Sequence, residues 1–183
     1  MNKVLKELMI WAIDLLIVLG LVFLLITFVA QRTVVDGESM EATLQNGDNL
    51  IVDKISYRFH EPERFDIVVF PFHNPNKPQD RTYFIKRIIG LPGESVSIDE
   101  NGVIYIDGEV LEEGYGREII RADKLGTVTY PLVLGEDEYF VLGDNRNNST
   151  DSRWIGSIER GDIIGRAWFR MWPFSSIGFI KHS

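Results

Sequence analysis

The sequence predicts a mainly β protein: a single N-terminal transmembrane helix, then an antiparallel β-sheet domain that carries a small inserted β subdomain. Three observations predict it. One apolar run opens the chain, period-two alternation with Gly, Pro and Asn punctuation dominates after residue 33, and no helical periodicity of any length follows the first thirty residues. At 183 residues there is room for one domain, or one with a small insertion, beyond the anchor.

The anchor comes first. Leu8 to Ala30 is a run of 23 residues with one charge, Asp14. A helix of that length spans ~34 Å, enough to cross a bilayer core. Its 16 Leu, Ile, Val and Phe residues contribute roughly −5 to −10 kcal/mol to insertion, against roughly +3 for a central Asp. Asp14 also sits in the first third, within reach of the interface or of Lys3 and Lys6, so the span survives it. A cleavable secretory signal would have a shorter apolar core, ~7–15 residues, and then small residues at alternate positions. Here the run ends Ile26-Thr27-Phe28-Val29-Ala30-Gln31-Arg32, with no good small-x-small site, which favours an uncleaved anchor. Lys3, Lys6 and the amino terminus flank one end, opposed in part by Glu7, while Arg32 is soon followed by Asp36 and Glu38. The positive-inside rule then puts residues 1–7 in the cytoplasm, 8–30 in the cell membrane as a single pass, and 31–183 outside.

In the exported part, Asp48 to Asp53, Phe65 to Phe70 and Thr82 to Ile89 read as strands. Ser95 to Asp99 and Val103 to Gly108 read as a hairpin closed through Glu100-Asn101-Gly102. Glu138 to Leu142 and Asp162 to Trp172 complete the set. His73 to Arg81 reads as a loop. Glu112 to Thr127, charged and without apolar periodicity, reads as a long surface connection or part of an inserted subdomain spanning approximately 95–137.

Composition excludes several chemistries. A net charge of −8 argues against a nucleic-acid partner. The absence of cysteine removes disulfides, thiol catalysis and thiolate metal sites. His60, His73 and His182 fall in a polar turn, a loop and a frayed C-terminus, with no paired spacing for a metal and no ordered setting for Ser-His chemistry.

Three places remain. Ser39 follows Gly37-Glu38 at the end of an extended Thr33-Val34-Val35 stretch, so at most ~30 Å of chain separates it from the membrane surface. A lone serine in a polar turn is ordinarily a cap or turn residue. Lys86 stands in an apolar strand, sharing a face with Thr82, Phe84 and Ile88. A free lysine is neutral in only about one molecule in 2,500 at pH 7, and lowering its pKa by ~3 units costs ~4 kcal/mol, which burial among aliphatic groups imposes. The bland alternative is a lysine that snorkels to water. Gly143 to Arg153 is a polar loop pinned between Tyr139-Phe140-Val141-Leu142 and Trp154-Ile155-Gly156, so its side chains can carry hydrogen bonds inward. Asp151 and Arg153 could pair there, and Ser149 could hold a neutral lysine. The overlapping Asn147-Asn148-Ser149 and Asn148-Ser149-Thr150 triplets match glycosylation acceptors, a pattern common by chance.

Six strings in order behind the apolar run resemble type I signal peptidases of the bacterial Ser/Lys class, in their short single-anchor form. They are Ser39 to Leu44, Gly47-Asp48, Arg64 to Phe70, Ile85 to Glu94, Gly143 to Arg153, and Gly165-Arg166-Ala167-Trp168-Phe169-Arg170. The resemblance implies a membrane-bound serine endopeptidase that cleaves signal peptides from exported preproteins after a small residue, without cofactor or metal. It implies Ser39 as nucleophile and Lys86 as general base, with Ser149, Asp151, Arg153, Asp144, Asn145 and Arg87 in support. It further implies that Val35, Met40, Leu44, Phe84 and Ile85 line pockets for small side chains, and that the substrate adds as a strand beside residues 33–37 and 82–84. Preproteins and the lipid bilayer are the expected partners, and the secretion translocon is a candidate one. Trp168, Phe169, Trp172, Phe174 and Phe179 form an expected bilayer-dipping surface, with inward packing of a last strand as the competing reading for half of them.

Two positions depart from the family pattern. Ala42 stands where proline is usual, which is expected to loosen the turn. Gly37 stands where some members carry a serine that serves as an oxyanion donor, leaving the Ser39 N–H as the candidate donor. Two other functions compete: a self-cleaving or conjugation-type Ser/Lys peptidase, and a catalytically silent, membrane-tethered β module that binds leaders or a secretion partner. The joint presence of Ser39, Lys86 and Ser149 argues against a silent binder, which needs none of them.

Overall fold

A computed structural model describes residues 3–73, 81–116 and 118–182 of the chain. The loop expected over 73–81 falls, from 74 to 80, outside the described residues. Helix α1 (Lys3–Phe28) includes a stretch, Lys3–Leu24, with mean hydropathy 2.4 and none of it buried against the protein, long and apolar enough to cross a membrane. It begins earlier than the expected anchor, and Ala30 already opens strand β1 (Ala30–Val34).

The other strands are β2 (Asn49–Asp53), β3 (Ile67–His73), β4 (Arg81–Gly90), β5 (Ser95–Ile98), β6 (Ile104–Ile106), β7 (Glu109–Val110), β8 (Leu132–Val133), β9 (Glu138–Leu142), β10 (Ile158–Glu159), β11 (Gly165–Trp172) and β12 (Gly178–Phe179). A short helix, α2 (Ser152–Ile155), follows the late polar loop, with Asp151 as its N-cap. All pairings are antiparallel. The larger sheet runs β1-β2-β11-β3-β4-β9-β10, with β12 beside β11, and the smaller runs β7-β6-β5-β8.

Alternation explains the layers. In β4, Ile85 packs with Val52, Ile67, Val69 and Ala167 in one apolar cluster, while Ile88 joins Val68, Phe70, Tyr139 and Val141 in another. A third cluster, of Ile89, Val96, Ile104, Phe140 and Leu142, joins the smaller sheet to the larger. Gly90 marks the crossover: a Cβ there would fall 2.6 Å from Val96 and 3.1 Å from Phe140. The hairpin between β5 and β6 closes as the Asn-Gly signal predicts, with Asp99 N–H donating to the Val103 carbonyl at 3.0 Å.

The connection 112–127 is irregular except for a 3-10 turn, Ala122–Lys124. It is no loose surface strand of chain. Ile120 is buried, Glu113 pairs with Arg146, and the Thr127 N–H donates to the Arg153 carbonyl. The C-terminal tail is docked rather than frayed. Ile180 is buried, its N–H donates to Trp168 O at 3.0 Å, and the Ile67 N–H donates to His182 Nδ1 at 3.0 Å. Burial and Arg166 push the His182 pKa down to about 4, with Asp66 opposing.

Candidate active site

Ser39 lies in a turn between β1 and β2 whose ends are tied together. Val35 N–H donates to Asp48 O and Gly47 N–H to Val35 O, both at 2.9 Å. Within it, Leu44 N–H donates to Met40 O at 2.8 Å, and Met40 and Leu44 are fully buried plugs that hold the turn on the sheet. Gly37 has φ +104°, a conformation an L side chain adopts only with strain, so the glycine answers a backbone demand and leaves no side-chain donor there. Ala42, at φ +112°, takes a value closed to proline, whose ring holds φ near −65°. The turn is therefore wound differently from one built on proline, rather than simply loosened.

Lys86 meets this turn from β4. Its Nζ lies 2.6 Å from Ser39 Oγ, donates to its neighbour's carbonyl, Ile85 O, at 3.1 Å, and sits 4.8 Å from the Phe84 ring centre. Only 3% of the residue is exposed, so it does not snorkel. Burial pushes the Lys86 pKa down to about 8; Asp151 and then Asp144 oppose the shift, and Arg153 adds to it. At that value roughly one molecule in ten holds a neutral amine at pH 7.

The late polar loop closes the site from below. Asn145 N–H donates to Ser39 O at 3.0 Å, and Asn145 Nδ2 donates to Glu38 O at 3.1 Å. Asp144 and Arg87 form a bidentate pair at 2.8 Å on each arm, both side chains fully buried, and Thr43 Oγ1 donates to Asp144 Oδ2 at 2.5 Å. Asp151 and Arg153 form a second bidentate pair at 2.8 Å, equally buried, and Asp151 Oδ2 also accepts the Gly143 N–H at 3.0 Å. Gly143 is pressed between the two halves of the site: a Cβ on it would fall 2.3 Å from Ser149 Oγ and 2.5 Å from Ser39 O. Ser149 Oγ is buried beside that point and has no hydrogen-bond partner among the described residues, so the expected bond to Lys86 is not made.

A cleft of about 700 Å³ opens over Ser39 and Lys86. Val35, Met40, Phe84 and Ile85 line it; Leu44 does not, being buried in the core beneath the turn. Asn148 and Thr150, from the late loop, also line it. Sequence reading missed Thr43 and Tyr115, whose ring centre lies 3.7 Å from the Arg87 guanidinium. Thr43 lay inside a matched string, but nothing marked its hydroxyl as inward-pointing; Tyr115 lay in a segment without pattern. Among the described residues no cluster of three or more His, Asp or Glu could hold a metal.

A family model described as signal peptidase, peptidase S26, matches residues 8–172. The chain belongs to this family. It is thus a serine peptidase of the signal peptidase type, a hydrolase that removes signal peptides from exported preproteins. A probable signal peptidase I-2 of Synechocystis sp. is 44% identical over 155 residues, covering 84% of this chain and 68% of its own length. Signal peptidase I of Bacillus caldolyticus is 38% identical over 161 residues, covering 83% of this chain and 85% of its own. Signal peptidase IB of Staphylococcus aureus (strain N315) is 32% identical over 191 residues, covering 97% and 95%.

Proposed function

We propose that Ser39 is the nucleophile and Lys86 the general base of this signal peptidase, acting at a membrane surface. The observation that carries the reading is the 2.6 Å approach of Ser39 Oγ to a buried lysine amine whose pKa burial has lowered to about 8.

Ser39 Oγ attacks the carbonyl carbon of the small residue that ends the signal peptide, and its proton passes to neutral Lys86 Nζ. The oxyanion takes a hydrogen bond from the Ser39 N–H. The Lys86 ammonium then protonates the departing amine, leaving an ester on Ser39. Neutral again, Lys86 takes a proton from water, whose oxygen displaces Ser39 Oγ from the acyl carbon, and Lys86 returns that proton to Ser39 Oγ, which regenerates the hydroxyl and the neutral amine. Arg87 and Arg153 hold Asp144 and Asp151 in bidentate pairs, limiting the negative charge that would otherwise keep the lysine protonated.

Residues 82–86 of β4 pair with β3 but not with β9, and β1 is the outer strand of its sheet, so both walls of the cleft offer backbone groups to an added strand. The leader would lie extended between them, with small side chains entering the shallow spaces beside Val35, Met40 and Ile85. With Lys3 and Lys6 in the first two turns of the apolar helix, the N-terminus is cytoplasmic and residues 31–183 are extracytoplasmic. The smaller sheet belongs to the insertion at approximately 95–137. Bilayer lipid and the secretion translocon are the neighbours such a topology would meet.

The test is cleavage of a leader-bearing precursor by detergent-solubilised full chain, wild type beside Ser39→Ala. The expected result is cleavage at a small-x-small site by the wild type only. Cleavage by Ser39→Ala at a comparable rate would overturn the assignment of the nucleophile.

A further inference from the structure

The irregular segment around Tyr115 is bonded to the catalytic loop along much of its length. Glu113 pairs with Arg146, Asn147 Nδ2 donates to Ile119 O at 3.0 Å, and Arg121 N–H donates to Asn147 Oδ1 at 3.0 Å. Further on, Arg153 donates to Lys124 O at 2.8 Å, and Thr127 N–H donates to Arg153 O at 2.9 Å. These bonds all reach backbone or side chains of the loop that contacts Ser39 O.

Tyr115 does something different. It reaches past the loop to β4, where its ring faces the Arg87 guanidinium at 3.7 Å and packs against Phe65 at 5.1 Å between centres. Its hydroxyl donates to His182 O at 3.1 Å, tying down the C-terminal tail. Arg87 is thereby held on each side. Its Nε and one terminal nitrogen grip Asp144, the other terminal nitrogen donates to Phe65 O at 2.9 Å, and the Tyr115 ring covers its face.

We propose that Tyr115 is a positioning residue for the Ser39–Lys86 pair: by covering Arg87 it keeps the guanidinium locked on Asp144, directly beneath the nucleophile turn. The proposal rests on the dyad reading above. Its logic is electrostatic as well as steric. The charges that face the Lys86 amine are Asp144, Asp151 and Arg153, and Arg87 faces it through Asp144. A guanidinium stacked on an electron-rich face and barred from water keeps its fork in one plane. Loosened, it compensates Asp144 less completely. The carboxylate then stabilises the ammonium form of Lys86, and the Thr43 hydroxyl it holds is released from the turn. Tyr115, Arg87, Asp144 and Thr43 do not line the cleft, so the change reaches the lysine without altering the surface that holds the substrate.

The experiment compares full-length Tyr115→Leu, Tyr115→Phe and Lys86→Ala with the wild type in detergent, using a leader-bearing precursor across pH 6 to 10. For Tyr115→Leu, kcat falls roughly tenfold with KM unchanged, and the midpoint of the rising limb moves to higher pH by about half a unit. Tyr115→Phe, which keeps the ring face and loses only the bond to the tail, retains the wild-type midpoint. A purely structural role would lower the amplitude without moving the midpoint. Should Tyr115→Leu not fold, Tyr115→Met, which fills the space with an unbranched chain, takes its place. A folded Leu or Met variant with wild-type kcat and midpoint overturns the role of Tyr115 and leaves the dyad standing, provided Lys86→Ala is inactive. Cleavage by Lys86→Ala overturns the dyad itself, and the Tyr115 proposal with it.

Discussion

Lys86 is held in a state its surroundings disfavour, and that gives it two measurable signatures. The first is in activity. In the proposed dyad only the neutral amine accepts the Ser39 proton, so kcat/KM of the free enzyme should rise as pH passes through about 8 and level off above it. The second is in stability. The folded pKa, about 8, lies below the ordinary 10.5, so between these values the unfolded chain binds more protons than the folded one. Stability contributed by this group therefore rises with pH across that window, and below it the folded state carries a constant penalty of ~3–4 kcal/mol. Lys86→Met removes both the proposed base and the penalty. The variant should cleave no precursor, melt roughly 5–10 °C higher at pH 7, and lose the Lys86 share of the rise above pH 8, as read by thermal melts at several pH values. A variant that melts lower than wild type would mean that the amine is worth more to the fold than its burial costs.

Between residue and fold stands the turn-and-loop pair that brings Ser39 to Lys86, and its tolerance is set by Gly143. A methyl group there would meet both the Ser39 carbonyl oxygen, which is backbone, and the Ser149 hydroxyl. Rotating the serine relieves only one of the two contacts, so the loop and the nucleophile turn must separate. Gly143→Ala should thus lower kcat by roughly a hundredfold, the scale of a 1 Å misplacement, while KM changes little. Steady-state kinetics on a purified variant of normal melting temperature checks it, and wild-type kcat would mean that the contact is not part of the alignment. This element also shows what the sequence could reveal. The Asp151–Arg153 pair was legible from a polar loop pinned between apolar ends, but the approach of Lys86 to Ser39 was not legible from the residues alone, where a turn serine and a snorkelling lysine are the ordinary readings and the family resemblance alone put the two together. The long strands were legible from alternation, as in Glu138–Leu142, which matches to the residue. Two-residue strands such as Ile158–Glu159 were not, because so few residues carry no period and only a partner defines them. The left-handed turn at Ala42 was hidden for a related reason: alanine carries no signal for positive φ. His182 was misread as frayed because docking depends on Ile180 and the β3 backbone, far away in sequence.

At the scale of the whole molecule, the proposed membrane setting would require the cleft to meet a substrate still held in lipid. Trp168, Trp172, Phe174 and Phe179 are exposed, while Phe169 is half-buried, so the expected split between outward and inward aromatics exists but favours the outside. They pack on one another rather than on the core: Trp168 and Phe179 at 5.2 Å between ring centres, Trp172 and Phe174 at 4.7 Å. All lie on or beside β11 and β12, and β11 is separated by β2 alone from β1, the strand that leaves the anchor helix. An exposed apolar cluster at that place loses free energy in water and gains it at a lipid interface, where aromatic rings settle. The cluster should then tilt the cleft toward the membrane, which the anchor by itself, joined through a single strand, does not dictate. Replacing Trp168, Phe174 and Phe179 together by serine should slow cleavage of a precursor embedded in the same vesicles roughly tenfold. Cleavage of a short soluble leader peptide should be unchanged, since none of the three lines the cleft. Equal losses on both substrates would instead identify these rings as part of the fold of β11 and β12, with the membrane playing no part in their exposure.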